Sequence, residues 1–430
     1  MKIIILFVLV NITRSYNVGW VPFIPVSTHD FTNPSNIKVL NKEYVIWKKG
    51  GKVIVQDDMC PHRLAPLSEG YIDRRSKNLR CAYHGWEFNE LGCVSCVPQI
   101  KEQKKRVKSY SYPTIIYGDI LWCWLNRTIE PDLSLLEKEI NKEETTYMRD
   151  LPYDYYTLLE NFFDPAHIPF AHHKLQSRRD AASPIEINVT KYEEDQLQFT
   201  FTDKTVIEDN EYKKRNSTMN LIPPYHYYLE DKNNRIFERL HVFCIPIERY
   251  NSRIIIKLDL KKGSMFKKIY TKVPVWIRHI LMNRFIDSDT VLLCKQEENM
   301  IKNNISIEDP LNNYTLLTES DRSVIIYRRW IKKYLKKEKV YLKESNKEYK
   351  EKDRKEILDR YKQHTKNCKS CKEAMKNTRI LKYTMTFIPL YIAVHMSNVN
   401  MFLLSLIIYW GMTIVENKFN YVDYVHNEID

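Results

Sequence analysis

Two cysteine–histidine pairs lie close together in the first quarter of the chain. Cys60 and His62 are separated by one residue. Cys81 and His84 are separated by two residues. Two thiolates and two imidazoles suit a tetrahedral zinc ion. They also suit a Rieske [2Fe–2S] cluster, in which two cysteines bind one iron and two histidines bind the other. Because each pair combines one cysteine with one histidine, each loop can reach both irons, and we predict a Rieske cluster held by all four side chains.

A second set of metal-binding residue types occurs in the stretch ENFFDPAHIPFAHH. His167 and His172 are five residues apart, a spacing that places side chains about 140° apart on a regular helix. Both can bind one metal only if the helix is distorted, and Pro169 lies between them and would break it. We predict that they supply two ligands of a two-histidine, one-carboxylate site for non-haem Fe(II). Spacing alone leaves Asp287 and Asp289 as candidates for the carboxylate.

The bulk composition limits the classes of partner. The formal net charge is +13, and much of the excess lies between Arg328 and Glu356, where lysine and glutamate interleave. This pattern predicts a solvated helical linker, and docking of an acidic redox protein is the alternative. No nucleic-acid-binding signature is visible, so no nucleic-acid partner is expected. The nine cysteines are an odd number, which argues against a disulfide framework. The pair Cys93 and Cys96 has too few ligands nearby for a further metal site.

Apolar segments mark both ends of the chain. Residues 1–15 contain one lysine and a short apolar run, which predicts a secretory-type targeting segment, with a buried strand as the alternative. Near the other end, the runs Tyr383–Met396 and Val399–Val415 are flanked by lysines and separated by a polar dipeptide. Each run is at or below the length of about 17–25 residues that a spanning helix needs. We predict a membrane hairpin, and an anchor lying in the interface is the competing interpretation.

Hydrophobic periodicity divides the rest of the chain. Residues 16–130 are rich in predicted strands, among them EYVIWKKGGKVIVQD, which alternates around a Gly-Gly turn as a hairpin does. Residues 150–330 mix helices and strands, and a long helix is predicted from VPVW onward. A charged linker over residues 331–379 and an anchor over 380–418 complete the expected organisation. The predicted fold class is α+β.

These motifs give the chain a family resemblance over almost its whole length. It resembles the Rieske non-haem iron oxygenases, in particular the pheophorbide a oxygenase group of plant and algal plastids. The likeness is carried by CPHRLAPLSEG, CAYHGWEF, VPQI, LLENFFDPAHIPFAHH, RRDA, YRRW and RYKQHTKNCKSC. It implies an N-terminal Rieske β-domain, a helix-grip catalytic domain with mononuclear iron and a C-terminal membrane anchor. A homotrimer is expected by the same resemblance.

The resemblance also assigns roles to individual residues. It implies that Asp289 is the third iron ligand. It implies that Asp164 links the partner subunit's His84 to His167, and it makes Asn161 a further catalytic candidate. The late pair Cys368 and Cys371 also occurs in this group and suits a reversible disulfide under thioredoxin control, with two incidental thiols as the alternative.

The implied activity is a ferredoxin-dependent monooxygenation that uses O₂. The resemblance implies a chlorophyll-derived tetrapyrrole as the substrate and oxygenolytic ring opening of pheophorbide a in chlorophyll breakdown as the reaction. Sibling activities on chlorophyllide, protochlorophyllide or a later catabolite stay open, as does a membrane-bound redox or import-associated role. The expected location is a plastid membrane, thylakoid or envelope. The short presequence suits a plastid reached through the endoplasmic reticulum.

Two expectations concern the C-terminal part. Cys368 and Cys371 lie about ten residues before the first apolar run, so we expect them near a membrane surface and open to a soluble reductant. We also expect a chain that ends near Arg379 to be soluble and to retain both metal sites, because the rest of the chain is charged and globular.

Overall fold

The computed structural model describes residues 19–101, 107–136, 140, 146–208, 211–231, 237–335 and 348–426. The predicted targeting segment at residues 1–15 and the middle of the predicted linker therefore lie outside the described residues. The described chain has the predicted α+β composition, with small antiparallel sheets first, one large antiparallel sheet next, and helices that pack on that sheet and then extend from it.

The N-terminal part is built from three small sheets. They contain eleven strands: β1 Trp20–Pro25, β2 Ser35–Val39, β3 Lys42–Lys49, β4 Lys52–Asp57, β5 Tyr71–Ile72, β6 Leu79–Arg80, β7 Glu87–Phe88, β8 Val94–Cys96, β9 Ser111–Tyr112, β10 Thr114–Tyr117 and β11 Ile120–Trp124. Their orders are β1-β11-β10, β2-β3-β4-β9 and β5-β6-β7-β8. The predicted Gly-Gly turn joins β3 to β4, and Gly50 and Gly51 have φ of 54° and 84°, as a tight hairpin turn requires.

The catalytic part contains a seven-stranded antiparallel sheet of order β12-β18-β17-β16-β15-β14-β13. The strands are β12 Tyr147–Leu151, β13 Glu186–Tyr192, β14 Leu197–Glu208, β15 Glu211–Ile222, β16 His226–Glu230, β17 Phe237–Glu248 and β18 Asn251–Leu260. Consecutive isoleucines Ile254 and Ile255 are both fully buried, so β18 is covered on both faces of the sheet. The ring of Trp122 packs edge-on against Phe243 at 5.3 Å, which joins the N-terminal sheets to one face of the large sheet.

The described helices are α1 Tyr155–Phe162, α2 Ile168–Ala171, α3 Met265–Tyr270, α4 Val275–Lys302, α5 Arg322–Trp330, α6 Arg354–Ile357, α7 Arg360–Gln363, α8 Lys369–His395 and α9 Val399–Asn420. Helix α4 buries polar side chains, among them Asn283 and Asp287. Asn283 Oδ1 accepts a hydrogen bond from the Tyr147 hydroxyl at 2.7 Å. Buried polar groups of this kind are retained because they have partners, and here they bind α4 to the large sheet.

The segment predicted to be a solvated linker contacts the catalytic part at several of its described residues. Arg328 is buried and its guanidinium forms an ion pair with Glu160 on α1. Ile357 and Leu358 are fully buried, and Arg360 forms an ion pair with Asp287 at 2.5 Å. The expected solvent exposure fails at Arg328 and Arg360, which have buried carboxylate partners, whereas charged side chains such as those of Lys332 and Glu351 are exposed as predicted.

Helices α8 and α9 form an antiparallel hairpin that stands out from the catalytic part. Large apolar side chains are exposed along both helices, for example Phe387, Tyr391, Ile407 and Trp410. Of the described helices, α9 is long and apolar enough, by length and composition, to cross a membrane. At the base of the hairpin, Lys382 Nζ donates to Glu416 Oε2 at 2.6 Å, and this pair joins the two helices just where the apolar surface begins.

Candidate active site

The first cysteine–histidine loop follows β4. The main-chain N–H of Cys60 donates to the carbonyl of Ala65 at 2.8 Å, and the carbonyl of Cys60 accepts from the N–H of Leu64 at 2.8 Å. These two bonds close a compact loop. Leu64 adopts a φ of 62°, a left-handed conformation that is unusual for a bulky residue.

The second loop, between β6 and β7, repeats this geometry. The N–H of Cys81 donates to the carbonyl of Trp86 at 2.9 Å, and the carbonyl of Cys81 accepts from Gly85 at 3.0 Å. Gly85 has a φ of 73° and stands where Leu64 stands in the first loop. The two loops therefore close around their cysteines in the same way, as expected for two arms that hold one group.

The thiols and the imidazoles of these loops face different surroundings. Cys60 and Cys81 are each 2% exposed, whereas His62 is exposed and His84 half-buried. The two imidazole rings lie 4.6 Å apart, and the Trp86 ring stacks on His62 at 4.7 Å. The donor atoms of these four described residues do not all lie within 4.8 Å of one another. A single zinc ion would need that closeness, so the donors fit a two-iron cluster with its histidine-bound iron toward solvent.

The second predicted set does come together tightly. The donor atoms of His167, His172 and Asp289 all lie within 4.8 Å of one another. His167 Nε2 is 3.3 Å from His172 Nε2, and His172 Nε2 is 3.4 Å from Asp289 Oδ2. The structure thus places two imidazoles and one carboxylate around a point, as a facial triad for non-haem iron does.

The helix distortion that this requires occurs earlier in the chain than predicted. Helix α1 ends at Phe162, and a 3₁₀ turn, Pro165–His167, separates it from α2. Pro169 lies in the first turn of α2, where a proline is tolerated, so the prediction that Pro169 breaks the helix is wrong. The break lies around Asp164 and Pro165, and His172 follows the end of α2, which turns both histidines to one side.

The hydrogen bonds of the two imidazoles show which of their nitrogen atoms carry a proton and which are free to bind a metal. His167 Nδ1 contacts the carbonyl of Asp164, which can only accept, so this nitrogen is the donor. His172 Nδ1 lies 2.7 Å from Ser288 Oγ, and that hydroxyl donates to the carbonyl of Phe285 at 2.6 Å. His172 Nδ1 is therefore also protonated, and both Nε2 atoms present lone pairs to each other. Two acceptors at 3.3 Å are favourable only with a cation between them.

The two candidate carboxylates have different surroundings. Asp287 lies in a buried ion pair with Arg149 at 2.7 Å and with Arg360 at 2.5 Å. Asp289 faces His172 instead. Residues two apart on a helix point about 200° away from each other, so only one of the two aspartates can face the histidines. The structure brings Asp289 to that position, in keeping with the resemblance.

The other two predicted site residues lie beside this triad. Asn161 Nδ2 donates to Asp289 Oδ2 at 3.1 Å, so Asn161 orients the carboxylate. Asp164 accepts the N–H of Ala166 at 2.9 Å through its carboxylate, while its main-chain carbonyl holds His167. Burial raises the pKa of Asp164 because the charged carboxylate loses solvation. Within one chain, the Asp164 carboxylate caps the 3₁₀ turn.

The comparisons with known proteins agree with this geometry. Residues 19–111 match the model of the Rieske [2Fe–2S] domain, and residues 209–306 match that of pheophorbide a oxygenase. The chloroplastic pheophorbide a oxygenase of Oryza sativa subsp. japonica is 30% identical over 458 aligned positions, which cover 96% of this chain and 85% of that protein. The chain belongs to the pheophorbide a oxygenase group of Rieske non-haem iron oxygenases.

A further relative and a solved structure are also similar to this oxygenase. Protochlorophyllide-dependent translocon component 52 of Arabidopsis thaliana is 29% identical over 85% of this chain and 74% of its own length. The fold matches the crystal structure of dicamba monooxygenase bound to dicamba with a TM-score of 0.60, at 16% identity, over 75% of this chain and 98% of that one. Family membership supplies a Rieske [2Fe–2S] cluster and mononuclear iron as cofactors, which the two donor sets fit.

Sequence reasoning missed the part of the oxygenase that follows the hairpin. The chain returns from α9 to the catalytic part, where the Tyr424 hydroxyl lies 3.5 Å from the carbonyl of Ala171. His426 Nε2 donates to the carbonyl of Ser288 at 2.8 Å, and Arg179 donates to the carbonyl of His426 at 2.8 Å. A chain ending near Arg379, which we expect to keep both metal sites, would lose these contacts, so that expectation stays a prediction. A short aromatic segment after a hairpin carries no sequence signal of such a role.

The redox pair also differs from expectation in one respect. Cys368 is 4% exposed and Cys371 is fully buried, and both are free thiols. The expectation that they are open to a soluble reductant is therefore wrong for this conformation. The exposed thiol of the chain's other Cys-x-x-Cys pair is Cys93.

A buried carboxyl group on α4 gives a pH-dependence prediction. Glu297 is 1% exposed, and its Oε1 accepts the N–H of Asp154 at 2.6 Å. Burial, and then the charge of Asp154, raise the pKa of Glu297 from 4.5 to about 8. The folded state therefore holds a proton that the unfolded state has lost, so stability falls as the pH rises from about 4.5 to about 8.

Glu297→Gln removes the titrating group, so the stability of the variant should fall less as the pH rises. The difference in free energy of unfolding between variant and parent should be on the order of 1–2 kcal/mol more favourable to the variant at pH 8 than at pH 6. Thermal unfolding of both proteins at the two pH values measures it. Glu298→Gln is the matched control. The pKa of Glu298 is lowered to about 2 by hydrogen bonds from Lys295 and Lys302, so that side chain does not titrate in this range. Equal pH slopes for Glu297→Gln and the parent would contradict the assignment.

Proposed function

We propose that the chain is a ferredoxin-dependent monooxygenase of a chlorophyll-derived tetrapyrrole, and that it opens the macrocycle of pheophorbide a with O₂ in chlorophyll breakdown. The observation that carries the proposal is the pair of lone-pair nitrogens of His167 and His172 facing each other beside Asp289, on a chain that also holds the two Rieske loops. The similarity to the rice pheophorbide a oxygenase over 96% of this chain supports the substrate class.

Each residue of the site has its own role in the proposed reaction. When bound, the cluster supplies single electrons and the mononuclear iron supplies activation of O₂. His167, His172 and Asp289 would hold the iron, and a set of three protein ligands would leave it able to bind O₂. Asn161 fixes the Asp289 carboxylate, and Ser288 fixes the tautomer of His172. Tyr424 and His426 contact the main chain of Ala171 and Ser288, next to His172 and Asp289, and so support the segments that carry these ligands.

The proposed assembly is a homotrimer in which each catalytic site is completed by the partner subunit's His84. Two observations support it. In this chain the imidazoles of the Rieske loops are the solvent-facing ligands, so the cluster edge can meet another subunit. Asp164 lies three residues before His167 and contacts its Nδ1 through the main-chain carbonyl, so an imidazole of another subunit beside the Asp164 carboxyl group would be close to His167 and would find a hydrogen-bonding partner.

We propose that the α8–α9 hairpin anchors the enzyme in a plastid membrane, thylakoid or envelope. Both ends of the hairpin contact the catalytic part, so they lie on the same side of the bilayer. Helix α9 has 22 residues, a length of about 33 Å against a hydrocarbon core of about 30 Å. The exposed apolar side chains on both helices favour a hairpin inserted from one face. A targeting segment at residues 1–15 that leads through the endoplasmic reticulum remains part of the proposal.

The anchor can be removed without removing the contacts that support the iron site. Replacing residues 384–414 with a short Gly-Ser linker keeps the ion pair between Lys382 and Glu416 and the return of Tyr424. We expect this variant to move from the membrane pellet to the soluble fraction and to retain its iron, because the exposed apolar surface is lost. The comparison is a chain truncated after Arg379, which should also be soluble, and its iron content tests whether the contacts of Tyr424 and His426 are needed. Persistence of the linker variant in the membrane pellet would count against the anchor.

The substrate is tested with a panel of chlorophyll derivatives. Purified enzyme with reduced ferredoxin and O₂ is given pheophorbide a, chlorophyllide a and protochlorophyllide, and product masses are read out. A product of pheophorbide a that carries added oxygen and an opened ring is expected. Turnover of protochlorophyllide alone would move the assignment to the sibling activity, which the 29% identity to the protochlorophyllide-dependent component makes the second candidate.

A membrane-bound redox or import-associated role is the alternative of another class. The Pisum sativum protein TIC 55 is 29% identical over 73% of this chain and 57% of its own length, which supports keeping this alternative. Iron content separates the classes. About three irons per chain, two in the cluster and one mononuclear, support an oxygenase, whereas about two with no turnover of any pigment support electron transfer alone.

A further inference from the structure

A second tight group of metal-binding side chains lies away from the iron site. His279, His364, Cys368 and Cys371 are all buried, and one ligand atom from each lies within 4.8 Å of the others. Three of them come from one short stretch with the spacing His-x₃-Cys-x₂-Cys. His279 comes from α4, and 92 residues separate it from Cys371. Four donors of this kind, with no carboxylate and no open side, form the ligand set of a structural zinc site.

The distances between the donors match a tetrahedron. His364 Nε2 is 3.3 Å from Cys371 Sγ, and His279 Nδ1 is 3.4 Å from Cys368 Sγ and 3.6 Å from Cys371 Sγ. Zinc bonds of about 2.3 Å to sulfur and about 2.0 Å to nitrogen place neighbouring ligand atoms roughly 3.5 Å apart in a tetrahedron. These three distances between donor atoms are therefore close to those that a tetrahedral zinc ion requires.

The ring orientation of His364 is fixed from behind. His364 Nδ1 donates to the carbonyl of Met148, the second residue of β12, at 2.6 Å. Its Nε2 is therefore the lone-pair nitrogen, and it is the atom that faces Cys371. A main-chain carbonyl that fixes the tautomer of an imidazole in this way is the usual outer support of a zinc-bound histidine.

We propose that His279, His364, Cys368 and Cys371 bind one zinc ion that fastens the base of the hairpin to the catalytic part. The site joins α4 to the start of α8, and α4 also carries Asp289, ten residues after His279. Both thiols are buried and unpaired. A dithiol exchanging with a soluble reductant would need access that this packing denies, whereas a closed metal site needs burial. This inference does not depend on the substrate of the iron site.

Metal analysis of the full-length enzyme tests the proposal. We expect about one zinc per chain beside the iron, and we expect Cys371→Ser and His279→Ala to reduce the zinc at least about tenfold. Cys93→Ser, in the other Cys-x-x-Cys pair, is the matched control and should keep the zinc. Cys81→Ser should also keep it, which excludes zinc that has entered the Rieske loops in place of iron.

X-ray absorption at the zinc edge makes the test independent of whether the ligand variants fold. In the Cys81→Ser protein, the edge should report two sulfur ligands at about 2.3 Å and two nitrogen ligands at about 2.0 Å. The proposal is overturned by enzyme that contains no zinc, by zinc without sulfur ligands, or by zinc content unchanged in Cys371→Ser. A Cys368–Cys371 disulfide found by mass mapping of the isolated enzyme would also overturn it and would restore the redox-switch interpretation.

Discussion

Cys81→Ser is expected to abolish the [2Fe–2S] cluster and, with it, all oxygenase turnover. The Cys81 thiol is 2% exposed and sits in a loop closed by hydrogen bonds of its own main chain. No other ligand therefore has room to take the place of the lost thiolate. Serine oxygen is a poor substitute for thiolate on iron. The visible absorption of the Rieske centre should disappear, and iron should fall from about three to about one per chain.

His167→Ala is the control for this experiment. It removes one of the facing imidazoles and should cost the mononuclear iron, while the cluster spectrum stays normal, because the Rieske loops lie in a separate part of the fold. The pair of variants therefore dissociates the two centres. A normal Rieske spectrum in Cys81→Ser would mean that the loops hold something else.

Asp164→Asn is expected to slow turnover by about 10–100-fold or more while leaving both metal contents unchanged. Asparagine can still accept the N–H of Ala166 and so cap the 3₁₀ turn, since asparagine and aspartate are equivalent in this role. The main-chain carbonyl that holds His167 is untouched. The substitution removes only the charge that we propose to link His167 to the partner subunit's His84.

The readout for Asp164→Asn is the rate at which the reduced Rieske spectrum decays when substrate and O₂ are added. A slowed decay with normal iron content is the expected result. Asn161→Ala is a useful comparison, because loss of its bond to Asp289 should weaken iron binding instead. Wild-type turnover by Asp164→Asn would remove the proposed link between subunits.

The parts of the site that lie close together in the chain were predictable from the sequence. The two Rieske pairs and the two iron histidines are each confined to one short stretch, so spacing alone revealed them. The choice between Asp287 and Asp289 was different, because it depends on which side of α4 packs against Arg149 and Arg360. That packing is a tertiary fact, and only the family resemblance anticipated its outcome.

Contacts between residues that are far apart in the chain account for the features that the sequence did not predict. Cys368 and Cys371 suggested a dithiol because their histidine partner His279 lies on another helix, and burial of the pair depends on how α8 packs on α4. Similarly, lysine and glutamate interleaved around Arg328 suggested solvent exposure, whereas the fold pairs Arg328 with a buried carboxylate. Charge patterns report local spacing, and they do not report which charges meet inside the protein.

The return of the chain from the hairpin to the iron site has a consequence for biosynthesis. His167, His172 and Asp289 precede the hairpin in the chain, whereas Tyr424 and His426, which contact Ala171 and Ser288, follow it. During translation the iron ligands are therefore complete before the residues that contact their neighbours exist. A chain whose hairpin is still unmade therefore has all three predicted iron ligands but none of the contacts from Tyr424 and His426.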